Sequence, residues 1–340
     1  ICDRISDAIV DACIDQDPDS RCAIEVMGGH GIITVTGEVT TKAYVDIPGV
    51  VHKVLPSFRG GVQVNLSRQS PEIARGVDIG GAGDQGIMVG YACDETPDFM
   101  PLEHWLARDL CFHLFARYPN DGKVQVTTFE GKIHTVVISW AEIDNDDLWD
   151  ELKVWMARND MVGYLASVEG SRMIPSVLIN PAGPWFSSGF DSDTGLTGRK
   201  IVMDAYGPRG PVGGGAFSGK DGTKVDRSGA YKARQIALAV LRAAPEGSPK
   251  GREVLVKMAY AIGMKDPIEV SAQTFQGGNL FKTLTFDETD IQFQPDNIIK
   301  ELGLLLPCFS DTAKWGHFGA KTVWDTIAPV KDPKVKKSSL

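Results

Sequence analysis

Between Asp193 and Arg227 the chain carries Arg199, Lys200, Lys220, Lys224 and Arg227, interleaved with Asp193, Asp204, Asp221 and Asp226. Gly213, Gly214, Gly215 and Gly219 lie among them. Glycine lets a backbone approach a ligand closely. Cations beside such a loop suit a polyphosphate, and carboxylates suit the hard Mg²⁺ that accompanies one. Within "GGGAFSGKDGTKVDRS" (Gly213–Ser228), Gly214, Gly219 and Lys220 match the first seven places of a G-x-x-x-x-G-K phosphate loop. The eighth place calls for a Ser or Thr hydroxyl on the metal, and here it is Asp221. A solvated loop of ion pairs is the plainer reading of a charge run, but three adjacent glycines with lysines at fixed offsets argue against it. A second glycine-rich turn, "GGAGDQGIMVGYACDET" (residues 80–96), carries Asp84 and Gln85 into an apolar run. A tight turn before a buried strand explains those glycines equally well.

The elements that must position these groups show in the hydrophobic periods. Residues 1–16 place Ile1, Ile5, Ala8, Ile9 and Ala12 on one helical face, and "DPDS" ends that helix. "RCAIEVM" and "IITVTGEV" alternate like two strands joined at "GGHG". "KVQVTTFEGKIHTVVIS" repeats the hairpin, with Gly131 at its turn, and "DDLWDELKVWMARND" reads as a capped amphipathic helix. "YKARQIALAVLRAA" reads as a helix, and "EVLVKMAYAIG" with "IEVSAQTF" as a third strand pair. A helix-plus-hairpin unit therefore comes three times. Separated hairpins with their own helices predict an α+β fold, not a doubly wound parallel sheet. A true phosphate loop joins a first parallel strand to a helix. This one follows "GLTGRKIVMDAYG" in the C-terminal half, with no parallel strand order around it, which disfavours a Walker-type NTPase.

The 340 residues carry a net charge of −9, which argues against nucleic acid as a partner. No apolar run approaches the ~20 residues that span a bilayer, and no signal peptide is visible, so no membrane partner and a cytoplasmic location are expected. The six cysteines form no C-x-x-C pair and read as reduced core thiols. The chain starts at Ile1, inside a helical pattern, so residues ahead of it are expected.

Six stretches together resemble the S-adenosylmethionine synthetase (methionine adenosyltransferase) family. They are "ISDAIVDA" near the start, "GAGDQG" (Gly81–Gly86), "GLTGRK" (Gly195–Lys200), "GGGAFSGKD" (Gly213–Asp221), "KVDRS" (Lys224–Ser228) and "GHFG" (Gly316–Gly319). They occur in the family's order. The resemblance implies three similar β-hairpin/helix repeats with pseudo-threefold symmetry, at 1–66, 67–187 and 188–330, and a tail at 331–340. It implies the reaction of ATP, L-methionine and water to S-adenosylmethionine, phosphate and pyrophosphate. Methionine sulfur attacks C5′ of ATP, and the triphosphate that leaves is then hydrolysed. Sulfur needs no deprotonation, so the difficulty lies in the anionic leaving group, which preorganised cations and Mg²⁺ stabilise. Asp221 then need not imitate the Walker hydroxyl, and two roles stay open for it: touching metal or ordering the lysines.

Residue by residue, the resemblance implies catalytic roles for Lys220, Arg199, Lys200 and Asp226. ATP would be bound by Asp121, Lys123, Trp185, Phe186, Asp193, Arg199, Lys200, Ala216 and Lys220. Trp185 falls where the family usually has a Phe stacking on adenine. Methionine would be bound by Glu38, Gln69, Asp84, Asp193 and Lys224. Asp226 would ligate Mg²⁺, two ions per site, and Glu25 would mark a K⁺ site. A homodimer or homotetramer with its active site at the subunit interface is implied as well. The family's "GHPDK" segment, with a histidine that assists C–O cleavage and a Mg²⁺-binding aspartate, is expected just ahead of Ile1. The stretches between Glu38 and Gln69 and between Asp84 and Asp121 are shorter than usual, and "GFDSDTG" replaces the common "GGPxGDxG". A non-catalytic regulatory or binding homologue is the alternative reading.

Overall fold

The computed structural model describes residues 1–70, 77, 79–165, 167–168, 171–172, 175–243, 251–319 and 322–326. The expected tail at 331–340 lies outside them. In chain order the elements are helix α1 (Cys2–Gln16), strands β1 (Arg21–Gly29) and β2 (Ile32–Thr40), helix α2 (Ile47–Val54), and strands β3 (Gly61–Ser67) and β4 (Gly86–Cys93). Next come α3 (Leu102–Arg117), β5 (Gly122–Phe129), β6 (Lys132–Trp140), α4 (Asn145–Met156), the short strands β7 (Ser167–Val168) and β8 (Ser171–Arg172), and β9 (Ser176–Ile179). The last stretch holds β10 (Gly195–Leu196), α5 (Ile201–Asp204), α6 (Val225–Arg242), β11 (Arg252–Tyr260), β12 (Glu269–Gln276), β13 (Asn279–Thr285), α7 (Pro295–Glu301) and α8 (Val323–Thr326). The fold is mixed α+β. Two compact units form, one from Ile1–Met100 with Gly195–Leu340, the other from Pro101–Thr194.

A helix set ahead of a hairpin occurs three times, the second through α3, which the sequence reading does not mark. Helix α1 packs on β1, α3 on β5 and α6 on β11. The third strands differ. β3 runs parallel to β2, and β9 parallel to β6, whereas the sheet β13-β12-β11-β4 is antiparallel throughout. Alternation along one strand encodes which face is buried, and it says nothing of the direction of a neighbour.

In α1 the buried residues are Cys2, Ile5, Ser6, Asp7, Ile9, Val10, Cys13 and Ile14, while Ile1 is exposed. The face is shifted from the one that apolar spacing predicts, because it includes the polar pair Ser6 and Asp7. Helix α4 has Asp144 at its N-cap, but without the side-chain bond its sequence suggests. Asp146 and Asp147 in its first turn complement the helix dipole instead.

In the larger unit, β1 and β2 put Cys22, Ile24, Val26, Ile33 and Val35 on one face, all buried. The opposite face carries Ala23 beside Glu38 and Glu25 beside Thr36, and Glu38 in turn pairs with Ser67 of β3. Helix α6 is buried on nearly every side. It reaches β4 because Gly90 has no side chain; a Cβ there would lie 2.0 Å from the carbonyl carbon of Ala233. Burial on all sides forces its charged residues to find internal partners. Arg227 pairs with Asp7 at 2.7 Å, Lys232 with Glu301 at 2.8 Å and Arg234 with Asp325 at 2.7 Å.

The smaller unit has its own core, built from Leu106, Leu110 and Leu114 of α3, Val136 and Ile138 of β6, and Leu148 and Leu152 of α4. Trp140 and Trp155 complete it, and each buried indole finds an acceptor, in Tyr118 O at 3.1 Å and Asp109 at 2.6 Å.

Candidate active site

The edge of β1 away from β2 gathers two of the motifs. Gly195 and Leu196 pair with Gly28 and Met27, and Thr197 N donates to Val26 O at 2.9 Å. Further along the same edge Lys220 bridges to Ala23, and Ile24 N donates to Gly219 O at 2.8 Å. Gly219 has φ +84°, and a Cβ on it would lie 2.0 Å from Ile24 O, so the loop can lie this close only as glycine. The start of the loop rests on another strand, since a Cβ on Gly213 would lie 2.2 Å from Ile87 O of β4. Gly198, at φ +73°, lies against Ala216 and donates to Asp3 Oδ1 at 2.8 Å. Arg199 and Lys200 follow it, both exposed.

Asp226 opens α6, buried in the first turn. It accepts Gly215 N at 2.7 Å and Lys220 Nζ at 2.8 Å. The phosphate-loop lysine and the expected metal carboxylate are thus in contact, and Lys220 is still partly open to solvent. Asp221 resolves its two possible roles. Its carboxylate, 2% exposed, accepts Cys22 N at 2.6 Å, Thr223 N at 2.8 Å and Lys224 Nζ at 2.5 Å. Both oxygens are engaged, so it orders Lys224 and ties the loop to β1. Burial alone would raise its pKa, but the Lys224 ammonium and these donors outweigh burial and hold it below the usual carboxylate value.

Glu25 lies on the exposed face of β1, between the two motif contacts. Desolvation raises its pKa, Lys220 opposes that, and Asp3 and Glu38 add to it. A carboxylate so crowded by others is a place where a small cation relieves repulsion. Glu38 and Gln69 come together at the ends of β2 and β3: Gln69 follows two residues after Ser67, the partner of Glu38. Among the described residues the buried Gln69 Oε1 has no partner. Asp84 is exposed, and its carboxylate accepts the amide of Gln85 at 2.7 Å. Its neighbour Gly83 lies behind the phosphate loop, where a Cβ would sit 3.1 Å from Thr223 O.

In the smaller unit, Asp121 accepts the Gly189 amide. The Trp185 carbonyl accepts Glu142 N at 2.9 Å, and Gly189 O accepts Asp193 N at 3.1 Å. Asp121, just ahead of β5, and Asp193 therefore both bond Gly189, in the loop that also carries Trp185. Trp185 is half-buried, and Lys123, Phe186 and Asp193 are exposed.

Sequence reasoning missed Asp7 and Tyr231, and it named Arg227 and His317 without their buried partners. Arg227 donates from Nε to Tyr231 Oη at 2.9 Å, and that hydroxyl lies 2.7 Å from His317 Nδ1. Burial, with Arg227 nearby, keeps His317 well below its ordinary pKa, so the imidazole is neutral. The histidine of "GHFG" belongs to a buried network beneath the loop. Apolar spacing gave no signal for Asp7, which lies outside the face it predicts for α1.

Three family models match in succession: the S-adenosylmethionine synthetase N-terminal domain over residues 1–70, the central domain over 79–185 and the C-terminal domain over 187–326. The chain belongs to the S-adenosylmethionine synthetase family. Among curated relatives, the S-adenosylmethionine synthase of Clostridium tetani (strain Massachusetts / E88) is 36% identical, covering 98% of this chain and 95% of its own. That of Petrotoga mobilis (strain DSM 10674 / SJ95) is 37% identical, over 98% and 94%. Two of the stretches that carry the resemblance, "GLTGRK" and "GGGAFSGKD", are the ones that meet on the edge of β1.

Proposed function

We propose that this chain is a methionine adenosyltransferase, forming S-adenosylmethionine, phosphate and pyrophosphate from ATP, L-methionine and water. Family membership over nearly the whole chain supports this. At the site it is supported by the contact of Lys220 with Asp226 and by the seating of "GLTGRK" and the phosphate loop along one edge of β1. In this reading the methionine sulfur attacks C5′ of ATP, the C5′–O bond breaks, and the electron pair leaves on the triphosphate. Lys220, Arg199 and Lys200 hold that polyanion where its charge grows, with Ala216 lining the loop, and Lys224 lies towards methionine. Asp121, Lys123, Trp185 and Phe186 take the nucleotide, and Asp193 the ribose side. Glu38, Gln69, Asp84 and Asp193 take methionine, for which the Gln69 oxygen, buried and without a partner among the described residues, is suited.

Asp226 fits Mg²⁺ as a single carboxylate. Among the described residues no group of three or more His, Cys, Asp or Glu is placed to hold a metal. Mg²⁺ commonly binds through one or two carboxylates plus substrate phosphates, so two ions per site would arrive with the triphosphate. When bound they neutralise its charge. Until then, Lys220 and Asp226 neutralise each other. Glu25, among Asp3 and Glu38, fits K⁺.

We also read the chain as three repeats, 1–66, 67–187 and 188–330, related by a pseudo-threefold axis; the recurring helix–hairpin order supports this. A homodimer or homotetramer with shared active sites accords with the exposed Met27 and Leu196 flanking the open face of the first sheet. We place the protein in the cytoplasm on its thinly spread cysteines.

The test is S-adenosylmethionine formation from ATP and labelled methionine, with phosphate and pyrophosphate measured together. Product in the sulfonium form is expected. Tight ATP binding without product would favour the non-catalytic homologue.

A further inference from the structure

Lys220 is held through its main chain from both sides. The Gly219 amide, which precedes it, donates to Asp7 Oδ1 at 2.8 Å. The Lys220 carbonyl accepts Arg227 Nη1 at 2.8 Å. Asp7 and Arg227 are themselves joined by two bonds, of 2.7 Å from Nη1 and 2.8 Å from Nη2, and neither side chain has any exposure. Arg227 Nε donates to Tyr231, and the guanidinium lies 4.1 Å from the ring centre of Phe309. Arg227 also follows Asp226 directly, the carboxylate that receives the Lys220 ammonium.

We infer that Asp7 and Arg227 are positioning residues for Lys220, a buried clamp that fixes the Ser218–Gly219 peptide ahead of the phosphate lysine and the Lys220–Asp221 peptide after it. The inference rests on the reading that Lys220 grips the triphosphate. A loop with Gly213, Gly214, Gly215 and Gly219 has much conformational freedom to lose. Preorganised electrostatic stabilisation needs the charge held within about 0.5 Å of its working place. A buried ion pair is a weak device for stability alone, because desolvation offsets most of the attraction. This pair instead directs a donor and an acceptor at the loop backbone. Only a guanidinium fork can bind Asp7 twice and still reach the Lys220 carbonyl; a lysine has one nitrogen for three acceptors.

The test measures binding of inorganic tripolyphosphate with Mg²⁺ by calorimetry on the full chain, together with kcat, methionine KM and Tm. The variants are Lys220→Ala, Asp7→Asn, Arg227→Lys and Tyr260→Phe. Asp7→Asn is expected to weaken tripolyphosphate binding about tenfold or more and to lower kcat by about 10- to 100-fold, with methionine KM within about twofold. Arg227→Lys should fall between it and the parent. Tyr260→Phe removes a buried bond to Phe293 O, 2.8 Å long, that involves neither a loop residue nor Asp7 nor Arg227. It should lower Tm and leave tripolyphosphate binding unchanged. Parent-like binding by Asp7→Asn, or by Arg227→Lys if the first does not fold, overturns the clamp when Lys220→Ala does weaken binding. Unchanged binding by Lys220→Ala removes the reading of Lys220 itself, and the purpose of the clamp with it. On the unmodified chain, the Gly219 amide should exchange slowly with deuterium, and exchange as fast as in a free peptide also overturns the inference.

Discussion

Asp221→Asn tests whether the charge at the eighth place of the loop is a tether. The carboxylate receives Cys22 N, Thr223 N and Lys224 Nζ within 2.8 Å and is nearly inaccessible. An amide of the same shape has one acceptor oxygen. Whichever way it turns, its NH₂ faces at least one of these donors, and the Lys224 ammonium loses its counter-charge. Breaking one side of a buried pair costs about 3–5 kcal/mol. For a unit of this size each kcal/mol moves Tm by roughly 2–4 °C, so a fall of roughly 6–20 °C is expected by calorimetry at pH 7. The pH dependence carries a sign. Because the Asp221 pKa is lowered in the folded state, its contribution is complete above the unfolded aspartate value, near 3.8, and is lost as pH falls through the lower folded value. The Tm gap between parent and variant should be flat from about pH 5 to 8 and close below about pH 4. A gap under about 2 °C at pH 7, or one that widens on acidification, refutes the tether.

Lys220→Ala should lower kcat by about 10²–10³-fold with little change in methionine KM, as loss of one charge-assisted donor does in a water-poor site; a near-normal kcat would make Lys220 a surface residue. Chelation with EDTA should abolish synthesis and added Mg²⁺ restore it, and turnover in EDTA would remove the metal from the scheme. Gly90→Ala should destabilise the larger unit by about 3 kcal/mol or more, since the new Cβ meets backbone, 2.0 Å from Ala233 C and 2.4 Å from Arg234 N, that cannot swing away; a parent-like Tm would contradict that packing. Burial, with Asp3 and Asp7 nearby, pushes Asp204 up to about 7. A raised folded value means stability is lost as pH climbs from the unfolded value towards 7, so Asp204→Asn should gain Tm over the parent at pH 8 and not at pH 4. A pH-independent difference would count against it.

What local periodicity could say, the chain said. Alternation in "RCAIEVM", "KVQVTTFEGKIHTVVIS" and "IEVSAQTF" marks strands that exist as β1, the β5–β6 hairpin and β12. Each signal depends on one buried face, which a short window contains. The glycine loop was legible for the same reason: its glycines and lysines are neighbours in sequence, and Lys220 and Asp226 meet across one helix start.

Three features were not legible. Asp7 and Arg227 are 220 positions apart, so no window shows that a carboxylate on the buried side of α1 already has its cation. The parallel pairing of β3 with β2 depends on where the chain returns, not on the pattern within either strand. The meeting of "GLTGRK" with the phosphate loop requires both to find the same edge of β1, one beside Val26–Gly28 and the other beside Cys22–Ile24. The amino-acid order by itself determined the element types, the α+β class and the charges available for a polyphosphate. Tertiary structure alone decided which of those charges are buried against each other and which stay open. A charge inside a protein is tolerable only beside a partner, and that partner is supplied by packing across the fold.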